Sequence, residues 1–205
     1  MHYQRICNSF FNSNTYIIKG SNNSVIIIDP GSIDNLQVFK SLEENRWNIH
    51  SVILTHEHAD HCAGVNGLYE KFHFQLLGSK ACAQNISSNK QNLSLYIEHI
   101  PPFEIKLPIN QIEDGETINI EGIDLMFILT PGHSPGGICV FSGNAVFTGD
   151  TLLNKTKVPL NLPQSNRNQY VSSIEKLKQH LKPGMTIYPG HGESFVFHSL
   201  DQLTL

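Results

Sequence analysis

No apolar run in this 205-residue sequence approaches the roughly 20 residues that a membrane-spanning helix needs. No secretory signal is visible either, because Met1-His2-Tyr3-Gln4-Arg5 has no apolar core behind it. Cysteine is scarce: Cys7, Cys62, Cys82 and Cys139 form no C-x-x-C pair and no disulfide-like framework. A reducing cytoplasm is therefore the expected compartment. A basic excess is also lacking. The net charge is −4 and the pI near 6.2, which argues against a nucleic-acid surface. Neither a membrane nor a nucleic acid is an expected partner, a small-molecule substrate is, and the oligomeric state stays open. What is present is the composition of a soluble globular protein, hydrophobic 40 %, charged 16 % and mean hydropathy −0.19. The length supports one substantial core, and with no linker in view a single domain over 1–205 is expected.

The organising stretch is Leu54-Thr55-His56-Glu57-His58-Ala59-Asp60-His61-Cys62-Ala63-Gly64, which carries the pattern H-x-H-x-D-H. Ser51–Leu54 before it is short, β-branched and apolar, as a buried strand would be. Residues 62–71 after it suit a helix packed on that strand. In an extended loop His56, His58 and Asp60 would point to one side, where two neutral imidazoles can share a metal ion. Asp60 and His61 are adjacent, so they diverge and could turn to a second ion. Glu57 then points away, and Cys62 reads as a small buried residue rather than a nucleophile.

Around this stretch, strands are predicted at 3–7, 14–19 and 25–28, the last stopping at Asp29-Pro30-Gly31. Asp29 is either a turn cap or an outer group that orients the histidine loop. A helix over 34–46 with Asp34 as its cap follows, then strand 51–54, helix 62–71, strand 75–77, and a helix from Ser79 through Ile86. Residues 87–110 read as a loop with an irregular strand. Strands return at 117–120, 123–129, 138–141 and 145–147, and a helix over 166–181 precedes a last strand at 186–188. This order suits an α/β fold, a four-layer αββα sandwich of two mixed sheets with outer helices. Three later strand ends repeat the theme of the first: His133, Asp150 and His191 each follow an apolar strand and lie among glycines. With His56, His58, Asp60 and His61 they supply enough ligands for two metal sites with open positions. His50, His73, His99, His180 and His198 lack such contexts and read as surface or packing histidines.

The segments Thr55–His61, Thr130–His133, Thr148–Asp150 and Pro189–His191, with Asp29-Pro30-Gly31, resemble the metallo-β-lactamase superfamily in family order. The resemblance runs from about residue 12 to about residue 193 and is nearest to the glyoxalase II-like hydrolases. It implies a first metal held by His56, His58 and His133, a second by Asp60, His61 and His191, and Asp150 bridging them. The implied cofactors are two divalent ions, zinc foremost, with iron or manganese as alternatives. The implied reaction is thioester or ester hydrolysis by a hydroxide generated between the ions, with Asp60 as the catalytic residue that aims it.

Two departures bear on the substrate. Residues 192–205 alone follow His191, whereas family members with glutathione specificity carry a helical extension there. The Gly-Arg-Thr-Asp-type segment of relatives is replaced by Lys157-Val158-Pro159-Leu160-Asn161. Lys155, Lys157 and Arg167 are expected at the rim, either holding an anionic substrate or forming a solvated basic loop. The alternatives are a lactonase and a persulfide dioxygenase with one iron on His58, His133 and Asp150. A true β-lactamase is disfavoured by Asp150 at the bridging position, and an RNA-processing nuclease by the missing basic stripe.

Overall fold

The computed structural model describes residues 3–203. The first sheet runs in the order β1 (Tyr3–Cys7), β2 (Asn14–Lys19), β3 (Ser24–Ile28), β4 (Asn48–Ile53), β5 (Gln75–Ser79), β6 (Ile109–Ile112). Its first two pairings are antiparallel and the remaining three parallel. The second sheet follows the order β12 (Phe195–Val196), β11 (Thr186–Pro189), β10 (Ala145–Gly149), β9 (Ile138–Ser142), β8 (Ile123–Leu129), β7 (Thr117–Ile120). Within it only β10 and β11 run parallel.

The alternation of side chains along a strand explains the layers. In β2 and β3, Ile18, Ile26 and Ile28 face the second sheet and pack with Leu125, Phe127, Val140 and Phe147. Their neighbours Ile17, Val25 and Ile27 face the other way, onto Val38 and Leu42 of α1 (Leu36–Asn45) and Val65 and Leu68 of α3 (Val65–Lys71). A strand buried on both faces reads as a continuous apolar run, which is why Val25–Ile28 has no polar position. The second sheet's outer face, with Cys139, Val146 and Ile187, is covered by Tyr170, Ile174 and Leu177 of α5 (Arg167–Lys178). The result is the expected αββα sandwich. Phe127 lies fully buried between the sheets, so Phe127→Ala costs about 3–5 kcal/mol of stability, readable as a lower urea midpoint.

The structure corrects several local expectations. The helix expected over 62–71 is two helices, α2 (Ala59–Cys62) and α3, parted at Ala63-Gly64. The Gly64 N–H bonds the Pro30 carbonyl (2.7 Å) and its own carbonyl accepts from the Asn35 amide (2.8 Å). Those bonds tie the break to the β3–α1 loop. Asp60 therefore sits on the first turn of α2, and its direction comes from a helix start rather than from period-2 alternation. The cap of α1 is Asn35, in a left-handed conformation without a side-chain cap bond; the Asp34 carboxylate takes the Leu36 N–H from one residue further out (3.2 Å). Ser79 caps α4 (Lys80–Asn85) as expected, accepting from the Cys82 N–H. Asn166 does the same for α5 through Gln169. Strand β12 and short 3₁₀ turns at Ser94–Tyr96 and Leu200–Gln202 had no counterpart in the expectations.

The ends of β3, β4, β8, β10 and β11 lead into one loop cluster. Two backbone bonds join the strand ends across the sandwich, Ile138 N–H to the Thr55 carbonyl (2.8 Å) and Asn14 N–H to the Gly190 carbonyl (2.7 Å), and a third ties the ends of β10 and β11, Gly190 N–H to the Gly149 carbonyl (2.7 Å). No helix among the described residues is long and apolar enough to cross a membrane.

Candidate metal centre

All seven ligand-type residues singled out in the sequence meet in this loop cluster. The donor atoms of His56, His58 and His133 lie within 4.8 Å of one another, and so do those of Asp60, His61 and His191. Asp150 stands between the two sets. Its Oδ2 is 3.5 Å from His133 Nε2 and 3.4 Å from His191 Nε2, and its Oδ1 is 3.6 Å from His61 Nε2. The first set is closed in, with His56, His58 and His133 at 2 %, 5 % and 4 % exposure. In the second, the His191 and Asp60 side chains are 27 % and 19 % exposed, so this set is the more open to solvent, although His58 and His133 also border the cavity above the centre.

Outer hydrogen bonds fix which imidazole nitrogen faces inward. His133 Nδ1 donates to the Pro159 carbonyl (2.9 Å), leaving Nε2 as the inward acceptor. His61 Nδ1 lies 3.0 Å from Asp29 Oδ2, and its Nε2 turns to the centre. His56 Nδ1 lies 3.0 Å from the Thr55 hydroxyl, which itself donates to Asp29 (2.5 Å). Asp29 also accepts the Thr55 N–H (2.7 Å), so one buried carboxylate sets the start of the histidine loop and two of its rings. That selects the orienting role over the cap. Because its bonds go to Thr55 and to the outer nitrogen of His61, Asp29 is a support and not a member of a third site, although it lies close to His56 and His61.

The arrangement fits a bound cation. Buried His56 Nε2 and Asp150 Oδ1 have no hydrogen-bond partner, and leaving such groups unpaired costs free energy. His58 Nδ1 and His133 Nε2 are 3.0 Å apart, and His61 Nε2 and His191 Nε2 are 3.3 Å apart. Ring nitrogens brought this close can share a metal cation, to which each turns a lone pair once deprotonated.

The characteristic sequence pattern of the metallo-beta-lactamase superfamily matches residues 8–191. The chain belongs to this superfamily. Relatives include the probable polyketide biosynthesis zinc-dependent hydrolase PksB of Bacillus subtilis, 29 % identical over 82 % of this chain and 67 % of that protein. The hydroxyacylglutathione hydrolase of Klebsiella pneumoniae is 30 % identical over 71 % of this chain and 49 % of its own length. The chain thus spans about half the length of the hydroxyacylglutathione hydrolases it matches. Among solved structures, the BLEG-1 B3 metallo-beta-lactamase superposes with a TM-score of 0.87 at 20 % identity, covering 98 % of this chain and 95 % of that one. A second protein, solved in a di-iron-bound form, superposes with a TM-score of 0.82 at 22 % identity, covering 97 % and 96 %. Both likenesses establish the fold. Superfamily membership together with the two His/Asp clusters makes the chain a metal-dependent hydrolase of the metallo-beta-lactamase superfamily.

The two halves of this superfamily site differ electrostatically. Burial, aided by the neighbouring imidazoles, holds His56 well below the ordinary value and His58 down at about 3. At His61 burial is outweighed by Asp60, Asp150 and Asp29, which push it up to about 9. At His191 the same contest is won by Asp150 and Asp60, which raise it to about 11. Asp60 and Asp150 are lowered in turn, the cost of burial being exceeded by His61, His191 and, for Asp150, His133. Without metal, the raised values favour protonated His61 and His191 at neutral pH, while His56 and His58 stay neutral. A cation must displace those protons from the second set. Its affinity there falls as pH drops below about 11 through His191 and more steeply below about 9 as His61 joins it, whereas competition at His56 and His58 is absent. Zinc titrations of metal-free protein are therefore expected to show a wider gap between the two binding steps at pH 6 than at pH 9.

Several supports were not foreseen. Glu57 does point away, but it is fully buried and accepts from the Gly136 N–H (3.1 Å), the Ser134 hydroxyl (3.2 Å) and the Asn85 amide (2.8 Å). It therefore clamps the loop that carries His133, and burial raises its carboxyl despite those three donors. The Ser13 hydroxyl bonds the Asp60 carbonyl (2.6 Å), and Asn14 and Tyr16 both bond the Pro189 carbonyl (2.9 and 2.7 Å). Next in line, Gly190 lets the chain pass where a β-carbon would meet the Asp150 carboxylate and the His61 ring. Cys62 is buried with its thiol pushed well up by desolvation, as expected of a packing residue.

One expectation about the rim is overturned. Lys155, Lys157 and Arg167 line a separate cavity of about 470 Å³ floored by Tyr170 and Ile174. The cavity above the metal groups, about 520 Å³, is lined by other residues, and no lysine or arginine is among them. The loop 152–165 is shared between the two cavities. Its basic residues go to one, and Pro159, Leu162 and Pro163 go to the other.

Proposed function

We propose that this protein hydrolyses a thioester or ester of a small metabolite at a two-ion centre. His56, His58 and His133 would hold one ion, Asp60, His61 and His191 the other, and Asp150 both. The observation that carries the reading is the Asp150 carboxylate, whose oxygens lie within 3.6 Å of histidine nitrogens from both sets. A simple one-ion storage site has no use for that placement. Divalent ions bound there would acidify water and polarise a carbonyl. Zinc is the first candidate, since the PksB relative is named as zinc-dependent. Iron is the second, because a neighbour in fold is a di-iron protein.

The chain's own groups define the rest of the chemistry. Asp60 stays ionised, its carboxyl lowered by His61 and His191 against burial, so it can only accept hydrogen bonds. At the open side of the centre it would orient the attacking water. The cavity has no lysine or arginine to assist a leaving group. Thiolates and acidic alcohols leave without such help, which favours thioesters and activated esters over amides. The relatives named hydroxyacylglutathione hydrolases point to the same bond type. A small soluble substrate in the cytoplasm, with no nucleic-acid or membrane partner, completes the proposal.

Metal-free protein reloaded separately with zinc, iron and manganese, and assayed against thioesters, esters, lactones and persulfides, tests this reading. Thioester or ester turnover with two ions per chain is expected. One iron per chain together with oxygen uptake on a persulfide would replace the hydrolase by an oxygenase.

A further inference from the structure

The wall above the metal groups specifies more than a bond type. Three segments from distant parts of the chain frame it: Phe11 from the β1–β2 loop, Leu93, Tyr96 and Ile97 from the segment after α4, and Leu162 and Pro163 from the loop before α5. Every one of these six contributes carbon surface. The charged groups of the cavity are all members of the metal centre itself, on its floor. At 520 Å³ the cavity falls within the range of small-molecule sites.

The apolar wall is built and held, not incidental. Phe11 and Tyr96 are 58 % and 56 % exposed, and with Leu93, Ile97 and Leu162 they present apolar surface around one cavity, the arrangement that marks a ligand groove rather than scattered surface residues. The backbone at the mouth takes left-handed conformations without glycine, at Phe11 (φ 53°), Asn12 (φ 54°), Leu93 (φ 68°) and Gln164 (φ 69°). Such conformations are sparsely populated and persist where the surroundings enforce them. The enforcement is visible. Fully buried Asn92 donates to the Phe103 carbonyl (2.9 Å) and accepts the Ser94 N–H (2.9 Å), and Ser94 Oγ accepts the Phe103 N–H (3.1 Å). Gln164 bridges the lips, its amide donating to the Gln91 carbonyl (3.3 Å). The nearby basic residues Lys155, Lys157 and Arg167 are directed into the other cavity, so no cation is offered to an anionic substrate here.

We infer that the substrate carries an uncharged apolar chain or ring on one side of the scissile carbonyl. Leu93, Tyr96 and Ile97 are the residues that select it. This rests on the hydrolase reading above for the bond cleaved, but not for the binding of the apolar group. A glutathione-like moiety, with its free carboxylates, is a poor fit to this wall.

The test has two arms. In the first, zinc-loaded protein is assayed with N-acetylcysteamine thioesters from acetyl to octanoyl, and with acetyl thioesters of thiols of increasing apolar length. One series is expected to gain about threefold to fourfold in kcat/KM per methylene until the cavity is filled. Tyr96→Asp flattens that slope. Leu95→Asp, which adds the same charge on the same turn outside the cavity, keeps it. In the second arm, metal-free protein is titrated calorimetrically with the thioether analogue of the octanoyl compound, in which CH₂ replaces the carbonyl. Binding that tightens with chain length and weakens in Tyr96→Asp is expected. Flat slopes in both thioester series, or binding indifferent to chain length, would overturn the inference. If neither these thioesters nor the matching oxygen esters turn over, the hydrolase reading fails while the thioether titration still decides the apolar-substrate claim.

Discussion

Asp150→Asn is expected to lower kcat/KM by about a thousandfold, equivalent to about 4 kcal/mol of transition-state stabilisation, with the fold retained. The amide has the shape of the carboxylate but not its charge, and it cannot present two anionic oxygens to both sets of ligands. In this structure those oxygens reach His61, His133 and His191, so the substitution weakens the joint between the halves rather than one ligand of either. The same surroundings hold the Asp150 carboxyl below its ordinary value: burial opposes ionisation but His61 and His191 outweigh it. Its charge is therefore kept at any pH at which the protein would work. Far-ultraviolet circular dichroism should match the wild type, and metal content should be measured on the same sample. Unchanged turnover at full metal content would remove the bridging role.

Asp29→Ala has the second-largest expected effect, and it touches no substrate. Asp29 is 2 % exposed and receives the Thr55 N–H, the Thr55 hydroxyl and the Nδ1 side of His61. Removing it leaves a buried backbone donor unpaired and frees the ring orientation of His61. Loss of such outer partners lowers metal affinity by about 10–100-fold, and the unpaired N–H adds about 1–3 kcal/mol of instability. Asp29→Asn keeps an acceptor for the Thr55 N–H but loses the charge facing His61. It should therefore recover most of the stability and little of the affinity. Zinc competition against a chromophoric chelator, with urea unfolding of the metal-free proteins, separates the two. Equal zinc affinity in all three proteins would show that the histidine loop orients itself without Asp29.

The ligands were legible because the histidine cluster and each of His133, Asp150 and His191 follow the end of an apolar strand, although Asp60 and His61 themselves fall on α2. The sandwich was legible from β-branched strands such as Val25–Ile28 and from the order of helices around them. What escaped depends on contacts that sequence distance hides. The break between α2 and α3 is set by Pro30 and Asn35 bonding Gly64, not by anything in 59–71 beyond the glycine itself. The work of Glu57 depends on Gly136, 79 positions away. Strand β12 is two residues long and exists only as a partner of β11. The basic residues at 155, 157 and 167 looked like a rim because they lie near the Asp150 loop in sequence, but loop direction is decided by packing on α5. The segment 87–110 has no periodicity to read. Yet its buried Asn92 and Ser94 fix Leu93 and Tyr96 over the centre, so the part least readable in the sequence bears most on substrate choice.

A two-ion hydrolytic centre needs both sets of ligands filled. That requirement is tested most directly by titrating metal-free protein with zinc while following hydrolysis of a responsive thioester. Little turnover is expected up to one equivalent, where the closed His56, His58 and His133 set fills first, and then a rise to a plateau at two equivalents. A plateau already reached at one equivalent would contradict the two-ion requirement.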